Sequence, residues 1–339
     1  MNASFPLAVP VGDPAGVGPM VAVQAALQLF ESVPIALFGD AQQLASLADA
    51  HGLPAQRLDA GALTSLEPGR VGLIHTGSVA EEIIQCRAPS AEGGRQQLAA
   101  LAAATVAVRA GRARAIVTGP TSKAAIVSAG QPFVGQTEYL AKASGLADDA
   151  VTMMFLGPKL RVALVTTHLA VADLPRAITG ARVARTVRHL GEALLRLYPR
   201  SPRRLTVVGL NPHAGEGGLF GREEIEVIEP ALRSSAMEPA FASGELVLKG
   251  PEPAESVFRA AQRGDIEGVV AMFHDQATLA SKLLDWGAAV NTTWGLPFVR
   301  TSVDHGVAYD AARANQADAD GMLAAMHMAL RLTQGSDVG

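Results

Sequence analysis

Short apolar runs alternate with stretches of helical periodicity through the first third of the chain. Residues 7–11 (LAVPV) read as a buried strand, and Gly12 opens a glycine-rich turn. Pro19 suits the first turn of a helix reaching about residue 30, where its fixed φ and missing N–H do no harm. The pattern then predicts a strand at 34–38, a helix at 41–50 and a strand at 71–75. A helix at 96–109 is rich in alanine, the strongest helix former, and a buried strand at 114–118 stops at Gly119-Pro120. Such strand–helix alternation predicts a largely parallel sheet covered by helices.

The middle of the chain changes character. Residues 151–155 and 160–167, separated by Gly157-Pro158, read as a β-hairpin. A hairpin inside an α/β chain implies a second domain with an antiparallel part. Strands at 205–210, 246–248 and 268–273 then alternate with helices at 181–198, 223–232 and 255–263, and a last helix lies near 317–332. Residues 63–70 and 87–94 read as loops, and no internal repeat or low-complexity segment is visible.

Composition narrows the class. At 339 residues the chain has room for about two domains. Hydrophobic residues make up 49% and charged residues 18%, too apolar for disorder. The net charge of −4 argues against a general nucleic-acid binder, which carries a basic excess. No apolar run reaches the roughly 18 residues of a spanning helix. The N-terminal residues lack the basic region of a signal peptide. A single cysteine, Cys86, excludes an intrachain disulfide framework and a cysteine-rich zinc module. A cytoplasmic α/β protein is the expectation.

Candidate chemistry gathers where strands end. Three strand-like runs lead into His168, His213 and His274. Ligands of open α/β sheets bind at the carboxyl ends of strands. Three imidazoles converging there form a divalent-metal site with an open position, whereas taken singly each reads as a hydrogen-bonded structural histidine. Asp275, beside His274, is placed to orient a ligand or move a proton. Histidines 51, 75, 189 and 327 lack this context and read as surface or satisfied core groups. The loop GDPAGVGP at 12–19 has the placement of an anion cradle, but it is neither G-x-G-x-x-G nor a Walker A loop and reads equally as a tight turn. The glycine-rich segment 209–218 is long for an idle loop. From 282 to 305, Lys282, Asn291, Arg300 and Thr301-Ser302 suit phosphate or carboxylate recognition; the plainer reading is a solvated lysine and an ion-paired arginine.

These segments resemble the 4-hydroxythreonine-4-phosphate dehydrogenase family of pyridoxal phosphate biosynthesis. GDPAGVGP at 12–19, TGPTSKAA at 118–125, GQTEYLA at 135–141, LRVALVTTHL at 160–169, GLNPHAGEGG at 209–218, AMFHDQ at 271–276 and NTTWGLPFVRTSVDHGVA at 291–308 occur in the family's order. The resemblance implies an α/β fold of two α/β/α domains around a cleft, of the isocitrate/isopropylmalate-dehydrogenase type. The expected domains are 1–130 plus 303–339, with nucleotide-binding elements, and 131–302, with metal and substrate residues and dimer contacts. It implies NAD(P)-dependent oxidation of 4-(phosphooxy)-L-threonine at C3, then decarboxylation to 3-amino-2-oxopropyl phosphate. The implied metal ligands are His168, His213 and His274, for zinc first, with Mg, Mn or Co as alternatives. Substrate contacts fall on Gln136, Thr137, Lys282, Asn291 and Arg300. Asp275 and Lys282 are the candidates for proton transfer, with Lys123 a further one. DHGVAYD at 304–310 resembles a nucleotide-binding loop of isopropylmalate dehydrogenases, which puts NAD or NADP on His305, Gly306 and Asp310. The expected partners are a phosphorylated small molecule and a second copy of the chain that shares the active site, with neither nucleic acid nor membrane.

The departures bear on the substrate. Gln136 stands where the family carries a histidine, Met20 where glutamate is common, and the family's Pro-x-Asn-Lys is here Pro120-Thr121-Ser122-Lys123. Gln136 is expected to face the substrate anion as a neutral donor. The alternative is a paralogue oxidising another phosphorylated four-carbon hydroxy acid or an aromatic-acid cis-dihydrodiol.

Overall fold

The computed structural model of the chain describes residues 5–198 and 202–334; the outermost residues of the predicted first domain, 1–4 and 335–339, lie outside the described residues. Twelve strands form among the described residues: β1 (Leu7–Pro10), β2 (Ile35–Gly39), β3 (Ala55–Arg57), β4 (Val71–His75), β5 (Ala115–Thr118), β6 (Thr152–Leu156), β7 (Arg161–Leu164), β8 (Arg203–Val208), β9 (Leu246–Glu252), β10 (Gly268–Ala271), β11 (Val290–Trp294) and β12 (Val299–Ser302). The chain divides into two compact units, one of residues 1–148 with 296–339 and one of 149–295.

In the first unit the strand order is β3-β4-β2-β1-β5-β12. Every pairing in it is parallel, as the strand–helix alternation predicts. The chain leaves β1 on one side to reach β2 and returns on the other to β5. The loops after β1 and β5 therefore flank a switch point, where parallel sheets bind ligands. Phe38, Leu101, Ile116, Ile126 and Leu140 form the core with Ala100, Ala104 and Ala107. These alanines belong to a helix, Ala91–Arg109, that starts inside the predicted loop 87–94. Ser90 accepts a hydrogen bond from Gly93 N at 3.0 Å and caps it. Gly94 is required by close approach, because a Cβ there would lie 2.0 Å from the Ala125 carbonyl oxygen. Two glycines in a first turn hide a helix from a propensity reading.

The second unit has the order β11-β6-β7-β10-β8-β9. β6 and β7 form the predicted antiparallel hairpin, with Phe155 opposite Val162, and β11 extends it antiparallel. The remaining pairs are parallel. Val162, Leu164, Val208, Val269 and Ala271 fill the core. The turn at 157–160 is tied down by buried Asp285, whose carboxylate accepts from Leu160 N at 2.8 Å.

β3, β11 and β12 are absent from the sequence reading. β3 is short, and β11 and β12 carry polar residues at buried positions: Thr292, Thr293, Arg300 and Thr301 are each 3% exposed or less. Thr301 Oγ1 donates to the Ala325 carbonyl at 2.8 Å, which shows how such a strand buries a hydroxyl without loss. Among the described residues no helix is long and apolar enough to cross a membrane.

Candidate active site

In the second unit, β7 and β10 run side by side with Leu164 opposite Ala271. Their pairing continues past the strand ends. Val165 N donates to the Ala271 carbonyl at 2.9 Å, and Thr166 Oγ1 donates to the Met272 carbonyl at 2.7 Å. Two loops are thus launched together, and the rings of His168 and His274 stand 5.3 Å apart between centroids. His274 opens the helix His274–Leu284, and its Nδ1 is 2.7 Å from Asp275 Oδ1. That pairing puts the ring proton on Nδ1 and leaves Nε2 as an electron-pair donor, the usual arrangement behind a metal-bound imidazole.

His213 sits on a different kind of support. Residues 213–217 all have positive φ, with His213 at 54°, Ala214 at 52° and Glu216 at 44°. A left-handed turn costs an L-residue roughly 1–2 kcal/mol, so something must hold it. Glu224, 2% exposed, does so. Its Oε1 accepts from Leu210 N at 2.7 Å and Asn211 N at 2.8 Å, and its Oε2 accepts from Asn211 Nδ2 at 2.9 Å. The same Asn211 amide donates to Glu223 and holds that carboxyl below the ordinary glutamate range. Gln276 joins the loop to its neighbour: its Oε1 accepts from Met272 N at 2.7 Å and its Nε2 donates to the Gly209 carbonyl at 3.0 Å.

The structure therefore brings His168, His274 and Asp275 together, while among the described residues no three His, Cys, Asp or Glu side chains form a metal-binding group. The two imidazoles, one backed by a carboxylate, fit a divalent cation in donor chemistry and need a further ligand to hold it. Lys282, in the same unit, is exposed, with its ammonium 6.0 Å from the Trp286 ring. Asn291 lies half-buried on β11 opposite Phe155. Sequence reasoning missed Glu224 and Gln276; the only signal was that Gln276 closes the AMFHDQ segment.

The first unit holds the other substrate candidates. Arg300, on β12 beside β5, is 3% exposed. Its Nη2 donates to Thr118 Oγ1 at 2.9 Å and to Gln136 Oε1 at 2.7 Å. Burial lowers its pKa to about 10, which leaves it charged at neutral pH. Gln136 opens the helix Gln136–Ala143 and donates to the Gly119 carbonyl at 2.9 Å and to Thr121 Oγ1 at 3.2 Å. Its carbonyl and both amide hydrogens are thus engaged with protein groups, so it steadies Arg300 rather than standing ready as a donor. Thr137 follows it, 8% exposed. Lys123 begins a short helix capped by Ser122.

In the candidate nucleotide segment, His305 Nδ1 lies 2.9 Å from the Gly306 carbonyl, and Asp310 pairs with Arg313. Among the described residues no atom beyond its neighbours crowds Gly306, and Ala308 has a positive φ of 50°. Asp13, 1% exposed, reaches this segment from the GDPAGVGP loop. Its carboxylate accepts from Ala15 N at 2.9 Å, Gln97 Nε2 at 3.0 Å and the Tyr309 hydroxyl at 2.9 Å. Burial raises the pKa of Asp13, and burial together with the Asp13 charge raises that of Tyr309. A cavity of about 450 Å³ opens in this unit, lined in part by Met20, Gln43, Leu47 and Asn315. The remaining histidines agree with the sequence reading where contacts are seen: buried His189 bonds Thr152, and the His51 ring meets the Leu47 carbonyl.

Glycine-rich loops at the ends of parallel strands, a buried arginine within one that reaches the last residue of its neighbour, and paired imidazoles beyond others define an α/β protein with polar groups at the ends where such sheets take ligands. The sequence model of the pyridoxal phosphate biosynthetic protein PdxA matches residues 31–329. The chain belongs to the PdxA family. It is 40% identical over 340 residues to a 4-hydroxythreonine-4-phosphate dehydrogenase of Janthinobacterium sp., covering 96% of each chain. Its structure is similar to that of a 4-hydroxythreonine-4-phosphate dehydrogenase from Klebsiella pneumoniae, with TM-score 0.79 and 31% identity over 98% of this chain and 100% of that one. It is also similar to a terephthalate 1,2-cis-dihydrodiol dehydrogenase from Burkholderia xenovorans, with TM-score 0.67 and 30% identity over 96% and 98%.

Proposed function

We propose that this protein is a metal-dependent, NAD(P)-linked 4-hydroxythreonine-4-phosphate dehydrogenase. It oxidises 4-(phosphooxy)-L-threonine at C3, and the resulting β-keto acid loses CO2 to give 3-amino-2-oxopropyl phosphate. One observation carries the reading within this family: Arg300 is buried, charged and held by Thr118 and Gln136. A desolvated guanidinium with a fixed fork suits a phosphate dianion.

When bound, a divalent cation held by His168, His274 and His213 supplies Lewis-acid polarisation of the hydroxyl, and the dinucleotide supplies the hydride acceptor. Arg300 and Thr137 hold the anionic end of the substrate, with Asn291 and Lys282 as further contacts. Asp275 fixes the tautomer of His274. Loss of CO2 breaks the C1–C2 bond and leaves its electron pair on C2. The Lys282 ammonium is the donor we assign to protonate that carbon. His305, Gly306 and Asp310 receive the nucleotide.

We infer a homodimer with a shared active site, in which His213 comes from the second copy. Exposed apolar side chains support this. Leu219 and Phe220, on the turn beside His213, are 74% and 51% exposed, and Leu279, Leu283 and Trp286 follow one another along the Lys282 segment at 66%, 76% and 80%. The wider reading is a cytoplasmic enzyme with the two-domain fold of the isocitrate/isopropylmalate dehydrogenases. Its nucleotide elements lie in 1–130 and 303–339, and its metal, substrate and dimer residues in 131–302.

A second reading rests on Gln136, which brings no cation of its own: a paralogue acting on another phosphorylated hydroxy acid or an aromatic-acid cis-dihydrodiol. Purified protein given 4-(phosphooxy)-L-threonine, a divalent cation and NAD+ or NADP+ decides between them. The proposal expects reduced nicotinamide and CO2 in equal amounts. Reduction only with a dihydrodiol or a different hydroxy acid supports the second reading, and no reduction with any of them overturns both.

A further inference from the structure

Asp13 is a buried carboxylate that the reaction as written does not use. It sits at the switch point, where the loops after β1, β5 and β12 meet. Around it the segment 13–17 is zipped to the segment 307–309. Val17 N donates to the Val307 carbonyl at 3.0 Å, and the Tyr309 hydroxyl donates to Asp13 Oδ2 at 2.9 Å. Gly16 permits the approach, because a Cβ there would lie 2.2 Å from Val307 Cγ1. The third loop joins through Gln97, which donates to Asp13 at 3.0 Å and accepts from Ser122 N at 2.8 Å. Tyr309 itself is half-buried and lies directly before Asp310 and just after the positive-φ Ala308. The residues on either side of this tether, His305, Gly306 and Asp310, are exposed, whereas Val307 between them is buried and bonded to Val17.

We propose that Asp13 is a positioning residue for the dinucleotide: by holding the Tyr309 hydroxyl it keeps the 305–310 segment in the shape that receives the nucleotide. The inference rests on the nicotinamide reading of that segment. A loop ordered before binding spares the ligand the cost of ordering it, so the tether acts on cofactor affinity. The Tyr309 hydroxyl acts on the 305–310 segment, so the chemical step and the affinity for the phosphorylated substrate are expected to change less than the dinucleotide affinity.

The test is Tyr309→Phe, which removes one oxygen and keeps the ring, with Asp13→Asn as its partner. NADH or NADPH binding is followed by fluorescence, without substrate, and steady-state constants are measured beside it. Tyr309→Phe is expected to raise the dinucleotide Kd and KM about tenfold, the size of one lost hydrogen bond to a charged group. KM for the phosphorylated substrate and kcat at saturating dinucleotide should stay within about twofold. In the double variant the two effects should be less than additive, because both changes act on the Asp13–Tyr309 hydrogen bond. An unchanged dinucleotide Kd in Tyr309→Phe overturns the proposal, as does an equal rise in both KM values. A wild type that binds dinucleotide but oxidises no 4-(phosphooxy)-L-threonine removes the substrate reading and leaves this test intact. A wild type that binds no dinucleotide removes both.

Discussion

The anion corner around Arg300 and the histidine corner around His168 and His274 are built by opposite means. Arg300 is buried in a strand, and Gln136 and Thr118, with Gly119 and Thr121 behind them, form a closed set of hydrogen bonds. The histidine corner stands where a loop and a helix start beyond two neighbouring strands, and His213, proposed to complete it, lies on a left-handed turn whose base Glu224 holds. A desolvated cation gains from low dielectric only if its geometry is fixed, and here Thr118 and Gln136 of the same chain fix it. The second stands nearer the surface, with exposed Leu169 beside His168.

The contrast is sharpest at Arg300. Arg300→Met is expected to lower kcat/KM for the phosphorylated substrate by at least about a hundredfold, since charged hydrogen bonds are worth roughly 1.5–3 kcal/mol each. Arg300→Lys should recover little of it, because a point charge cannot serve Thr118, Gln136 and a phosphate at once. Recovery to near wild type would show that charge alone matters there. At the histidine corner, Glu224→Gln should loosen the 213–217 turn. The expected loss is a few-fold to about tenfold in metal affinity, read by titration with a chelator, with a smaller effect on the Arg300 corner. An equal loss in affinity for a phosphorylated ligand would mean that Glu224 supports the fold in general.

Smaller effects separate the corners by pH. Gln136 has no ionisation, and a histidine there can accept from Arg300 only while neutral. Gln136→His should therefore add an ionisation below about pH 6.5 to the kcat/KM profile, absent from the wild type. A profile unchanged in the variant would show that position 136 does not act on the ligand through Arg300. The last concerns stability alone and leaves activity at neutral pH unchanged. Burial, with Arg188 and Arg185 nearby, lowers the His189 pKa to about 4. The unfolded chain binds a proton near pH 6.5 that the folded one refuses. Stability from this group is thus full above about pH 6.5 and falls as pH drops towards 4, by up to roughly 3 kcal/mol. His189→Gln should flatten that fall in denaturant titrations; an unaltered slope would contradict it.

How far the sequence disclosed this depends on where side chains point. The parallel strands of the first unit and the hairpin of the second were legible because their apolar runs are unbroken. β11 and β12 were not, because their buried positions hold threonine, serine and arginine, whose partners lie far along the chain. Arg300 was legible as a cation but not as a buried one; its partner Gln136 is 164 residues away in sequence. Glu224 and Asp13 act through backbone N–H groups and distant hydroxyls, and no spacing rule announces such contacts. His168 and His274 were legible together because neighbouring strands end at them, whereas the support of His213 depends on the left-handed turn.

Subunit complementation tests the central claim, that the anion corner is complete in one chain and the histidine corner is shared. His213→Ala and His274→Ala chains, each inactive alone, are mixed by unfolding and refolding or by co-expression. If one copy supplies His168 and His274 and the other supplies His213, half of the random dimers carry one intact site, and about a quarter of wild-type activity returns. Activity that stays at the level of the separate variants, in a preparation shown to contain mixed dimers, would contradict the account.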